Sequence, residues 1–120
     1  MVEKVFIVGK KKYDKTSREF KVFYEEGSDA VTVGTTATTI YDVPSNKTFY
    51  LRNIIVYNSA TTGNVVTIRD GTTDKFQISL TAGETKAITD VKGIIFTDSV
   101  VGVATQASAV VSVGGEVTEA

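Results

Sequence analysis

The chain has 120 residues, 42% of them hydrophobic, and a formal net charge of −1, which fits one globular domain able to bury a core of its own. It contains no cysteine and no histidine, so disulfides, thiol nucleophiles, zinc–thiolate sites and Ser-His-Asp or Cys-His catalysis are excluded. No apolar run approaches the ~20 residues of a membrane helix, and residues 1–10 hold too short an apolar stretch for a signal peptide, so a product made in the cytoplasm and not associated with membranes is expected.

Charge is unevenly placed. Residues 1–24 carry seven basic against three acidic side chains, net +4, and the remainder six against eleven, net −5. This segment reads as a strand near Val2–Val8, a polar turn through Lys10–Ser17 and a strand near Glu19–Glu25, in which Phe20, Val22 and Tyr24 alternate with Glu19, Lys21 and Phe23. Glu25-Glu26-Gly27-Ser28-Asp29 breaks the pattern and reads as a linker. Residues 1–29 are therefore expected to be an N-terminal arm or β-hairpin, and residues 30–120 the main domain. A basic arm on an acidic body suits contact with an acidic surface, including the body of a neighbouring copy. A solvated charged hairpin fits the same charges.

From Ala30 onward, short runs rich in Thr and Val are separated by Gly, Asn, Asp and Ser. The branched Cβ of Thr and Val packs well on a pleated surface, and the close spacing of the runs points to an antiparallel β-sandwich. Strands are expected near Ala30–Val33, Thr38–Val43, Lys47–Asn58, Asn64–Asp70, Lys75–Leu80, Glu84–Thr89, Gly93–Thr97, Ser99–Gln106 and Ala109–Val113. Asp70-Gly71 is a strong turn pair, and Pro44 cannot continue the strand before it. The tail after Gly114-Gly115 is expected to fray.

The run Lys47–Asn58 is long enough to cross a small sandwich, and both of its faces carry apolar side chains. One face holds Phe49, Leu51, Ile55 and Tyr57, and the other Tyr50, Ile54 and Val56. Either the second face meets another element or chain, or a bend switches the buried face halfway. The bend is favoured, because long strands in sandwiches generally need one. The expected core comprises Phe49, Leu51, Ile55, Ile68, Phe76, Ile78, Ile94 and Val103.

Candidate chemistry is sparse. Asp70 and Asp74 flank one turn and supply too few oxygens for calcium, so an Asp-capped hairpin explains them better. Asp90 and Asp98 bracket another strand and are read the same way. Val8-Gly9-Lys10 lacks the spaced glycines and the following Ser/Thr of a phosphate loop. Lys10-Lys11-Lys12-Tyr13 mixes basic and aromatic residues, but with a sequence pI of about 5.4 nucleic acid is not the expected partner. Tyr41, Tyr50 and Tyr57 are the candidates for a sugar platform in a chain without tryptophan. Asn46-Lys47-Thr48 matches a glycosylation acceptor, a match expected to be empty without a signal peptide.

One stretch carries a likeness. Thr39-Ile40-Tyr41-Asp42-Val43-Pro44-Ser45-Asn46-Lys47-Thr48-Phe49-Tyr50-Leu51, followed by Ile54-Ile55-Val56-Tyr57-Asn58 and Val65-Val66-Thr67-Ile68-Arg69-Asp70-Gly71, resembles small β-sandwich structural proteins of tailed phages and related prokaryotic viruses, among them head-decoration and tail-associated proteins. Gly93–Val100 and Ala109–Val113 are similar to their closing hairpins. The likeness spans residues 38–113 and brings no catalytic motif. It implies a jelly-roll-like sandwich that acts as a virion component, first as a capsid decoration or cement protein. It also implies a homo-oligomer, with a trimer one form, whose other partner is a major virion protein. A carbohydrate-binding or adhesive module, such as a tail-associated receptor-binding component, is the alternative. No enzyme activity, cofactor or metal is expected. Lys10, Lys11, Lys12, Phe20, Val22 and Phe23 are the candidate assembly contacts.

Overall fold

The computed structural model describes residues 9–14, 19–89, 91 and 93–118, with side chains from residue 23 onward. Among the described residues the chain is all strand and loop. The strands are β1 (Gly9–Asp14), β2 (Glu19–Val33), β3 (Thr38–Asp42), β4 (Thr48–Asn58), β5 (Asn64–Asp70), β6 (Thr73–Leu80), β7 (Thr85–Ile88), β8 (Ile95–Phe96), β9 (Ser99–Ala104) and β10 (Ala109–Thr118). They form two antiparallel sheets packed as a sandwich, the expected class. The first sheet runs β1-β2-β10-β4-β7, with β8 also pairing β4; the second runs β3-β9-β5-β6. The pairings are nested: β2 with β10, β3 with β9, β4 with β7 and β8, and β5 with β6.

The core lies between the sheets. Val33, Phe49, Leu51, Ile54, Val56, Val66, Ile68, Phe96, Val100 and Val111 are its largest fully buried apolar side chains. Of the expected core, Phe49, Leu51, Ile68 and Ile78 are buried, while Phe76 and Ile94 are partly buried against it. Val103 is half-buried. Ile55 is a correction: it is 44% exposed, and its neighbour Ile54 is buried at 1%.

The reason is the bend in β4. Gly114 and Gly115 of β10 lie opposite Asn53 and Leu51, which leaves Arg52 as the extra residue of a bulge. Phe49 and Leu51 point inward before it; Ile54, Val56 and Asn58 point inward after it. A single inserted residue exchanges the two faces of a period-two strand.

Three other expectations change. Gly9–Asp14 is a strand, not part of a turn, and it pairs with Glu19–Tyr24; the strand expected at Val2–Val8 lies outside the described residues. Glu25–Asp29 is no linker but the middle of β2, so the expected boundary at 29/30 falls within one strand. The low strand preference of that stretch marks a second bulge, where β10 shifts register between Val111 and Val113. A Cβ at Gly27 would run into the Val113 carbonyl. Finally, β10 continues through Gly114-Gly115 to Thr118, and Val117 and Thr118 are buried. The glycine pair is a point of close approach and not a stop. A Cβ at Gly115 would meet the Tyr50 carbonyl oxygen and the Phe49 ring.

The two ends of the sandwich are closed differently. At one end Asn58 and Asn64 are buried and satisfied. Asn58 Nδ2 donates to the carbonyls of Thr62 and Thr81, and its Oδ1 accepts from Ala60 N and Asn64 Nδ2. Asn64 also donates to Gln106 O and accepts from Gln106 N and Thr105 Oγ1. At the other end the Asp70 carboxylate accepts from the amides of Thr97, Asp98 and Ser99 and from Thr97 Oγ1. Burial alone would raise its pKa, but these hydrogen bonds outweigh burial and hold the carboxyl below its ordinary value.

Candidate assembly surface

The candidate contacts of the N-terminal segment fall on two paired strands. Lys10, Lys11 and Lys12 lie on β1, opposite Phe23, Val22 and Lys21 of β2; Phe20 lies opposite Tyr13. Among the described residues β10 pairs with β2 only as far as Phe23, opposite Thr118. Among the described residues, 19–22 and their β1 partners therefore form a two-stranded ribbon. Phe23 is buried within the chain and packs against the Tyr50 ring at 5.5 Å between centroids.

Beside this ribbon the bulges leave an open cleft of about 470 Å³, lined by Glu25, Glu26, Arg52, Asn53, Gly114, Gly115 and Glu116. Glu116 is buried and accepts from Arg52 Nε at 3.3 Å and Nη2 at 3.2 Å. Arg52 also lies over the Tyr50 ring at 5.6 Å. A stack of Phe23, Tyr50, Arg52 and Glu116 thus covers this part of the outer sheet face. Sequence reading missed it, because the Arg52 bulge that builds it depends on the distant glycine pair. Tyr41 lies near the carboxylates of Glu26 and Asp42. Burial first, then the charges of Glu26 and Asp42, push its pKa up to about 12. Among the described residues no group of three acidic side chains is placed to hold a metal.

The remaining candidates are scattered or occupied. Asp74 is bound by Arg69 at 2.7 Å, and Asp70 is taken by backbone amides, so that turn is an Asp-capped hairpin. Asp98 is exposed, and Asp90 lies outside the described residues. Tyr50 and Tyr57 lie toward opposite ends of β4, roughly 23 Å apart along the strand, and Tyr41 belongs to the other sheet. The three form no shared platform. Asn46 sits exposed in the β3–β4 turn with φ of 61°, a conformation asparagine tolerates.

The outer face of the first sheet changes character beyond the cleft. There Ile55 and Tyr57 are exposed, and the register sets Tyr57 beside Val110 and Thr85, and Ile55 beside Ser112 and Ala87. A scan against protein-family models finds no match for the chain, and a search of curated proteins finds no significant relative.

Proposed function

We propose that the chain is a structural subunit of a virus particle, in the first place a capsid decoration or cement protein, acting by assembly and not by catalysis. The observation that carries the reading is the basic ribbon. A two-stranded ribbon is marginal in isolation, and this one places Lys11, Lys12 and Lys21 beyond the described pairing of β2 with β10. A basic strand pair on an acidic body suits docking on an acidic shell protein. The nested strand pairing supports the same reading, since a hairpin folded over itself into two sheets is the winding of the jelly rolls common in capsid proteins.

The test is binding to purified particles by co-sedimentation. The full chain should bind at low salt and be released as salt rises, because exposed ion pairs are screened. The triple variant Lys10→Glu, Lys11→Glu, Lys12→Glu should fold normally by circular dichroism and fail to bind. Binding of the folded triple variant at the level of the parent would refute the docking role of the ribbon.

A further inference from the structure

We infer that the end of the sandwich opposite the ribbon, with the adjoining strip of outer sheet face, is a contact surface for a second copy of this chain. Residues 30–41, 53–68 and 99–115 contain no Asp, Glu, Lys or Arg, although 22% of the chain is charged. The fold gathers these three separate stretches. The loops at 34–37, 59–63 and 105–108 all meet at one end, tied by Ala104 N to Gly34 O at 2.8 Å and Ser59 N to Ser108 O at 3.1 Å. Thr36, Thr61 and Gln106 are exposed there.

The fourth loop at this end, 81–84, carries Glu84 and is tied to Asn58; this and the other charged groups nearby are engaged in hydrogen bonds within the chain. The Glu84 carboxylate accepts from Thr81 N. Lys86 reaches to Ser79 O of the other sheet. Asp29 accepts from Ser112 Oγ. The uncharged surface then runs from the end onto the outer face through Val110, Tyr57 and Ile55.

Charge and area both point to a like partner. In a symmetric contact identical residues approach one another, so a charged patch meets its own sign. Copies that are acidic outside the arm can meet through an uncharged surface without that repulsion. Three strands at ~4.8 Å spacing, across the 23 Å shortest extent of the molecule, give a charge-free end of roughly 330 Å². The face strip, four strands wide and two residue pairs deep, adds about 270 Å². The total of about 600 Å² matches the ~600 Å² per partner at the lower end of the range for stable complexes. The ribbon is left free at the opposite end.

The contact between copies presupposes the assembly role proposed above, and sedimentation velocity on the full chain tests it separately from particle binding. Over a concentration series the chain should sediment as a multiple of 12.9 kDa, with the mass unchanged between low and high salt. The double variant Thr36→Glu, Thr61→Glu should dissociate at least ~10-fold more readily, with its circular dichroism and unfolding midpoint intact, because both positions are exposed loop residues. Lys75→Glu, exposed on the other sheet, should assemble as the parent does. A monomer throughout the series, an oligomer that salt dissolves, or a double variant that assembles like the parent would each overturn the inference. None of these outcomes bears on the particle binding of the ribbon, which is read in its own assay.

Discussion

The bend in β4 makes two adjacent isoleucines differ sharply in what they contribute to stability. Ile54 is 1% exposed and Ile55 is 44% exposed. Ile54→Ala removes three buried carbons at ~0.8 kcal/mol each, or about 2.4 kcal/mol, and the cavity left behind brings the expected loss to ~3–4 kcal/mol. Ile55→Ala removes the same atoms from a half-covered site, for an expected loss of about 1 kcal/mol, part of it strand preference. Urea unfolding of the two variants, compared at equal slope, measures the difference. Ile54→Ala should be the less stable by ~2 kcal/mol or more. Equal losses, or a larger loss at Ile55, would show that β4 runs straight and that Ile55 shares the buried face of Phe49 and Leu51.

Other substitutions probe the two ends and the second bulge. Asn58→Ala removes four hydrogen bonds, although Thr81 O keeps Glu84 N and Asn64 keeps Gln106; at ~0.5–1.5 kcal/mol per bond, urea unfolding should show a loss of at least ~2 kcal/mol. Asp70 has a folded pKa below its unfolded value, so the stability it contributes is present above ~3.9 and is lost as pH falls through the folded value. The difference in unfolding free energy between the parent and Asp70→Asn should therefore be constant from neutral pH down to about 4 and shrink below it; a difference independent of pH would contradict the assignment. Ala30 sits in the β2 bulge with φ of 54°, which costs an L-residue ~1–2 kcal/mol. Ala30→Gly should raise stability by up to about 1 kcal/mol after the entropy lost by glycine on folding, and a lower thermal midpoint would count against strain at this position.

The class of fold was legible because it rests on local signals. Alternation in Lys75–Leu80 and Ser99–Gln106, and turn chemistry at Asp70-Gly71, act within a few residues, and the strands appear close to where those signals put them. The errors occur where a distant strand decides. Glu25–Asp29 and Gly114-Gly115 look like breaks because their residues disfavour strands. They are strands because β10 lies between β2 and β4, where close approach at Gly27 and Gly115 leaves no room for a Cβ. The choice of Ile55 over Ile54 failed for the same reason: the need for a bend was readable, but its position depends on the register with β10. Of the candidate contacts, the lysines of β1 could be read as a charged patch, whereas the burial of Phe23 on Tyr50 required the pairing of β2. The charge-free stretches were present in the sequence, yet only the topology brings their three loops to one end.

The proposed virion role is tested most directly by the protein composition of virus particles. Virus particles from the source of this sequence, banded on a density gradient, can be analysed for protein content by quantitative mass spectrometry. The chain should be present in fixed proportion to the major shell protein and should be depleted after a high-salt wash that leaves the shell intact. Particles that lack the chain, while it remains in the soluble fraction of the same lysate, would contradict a structural role in the virion.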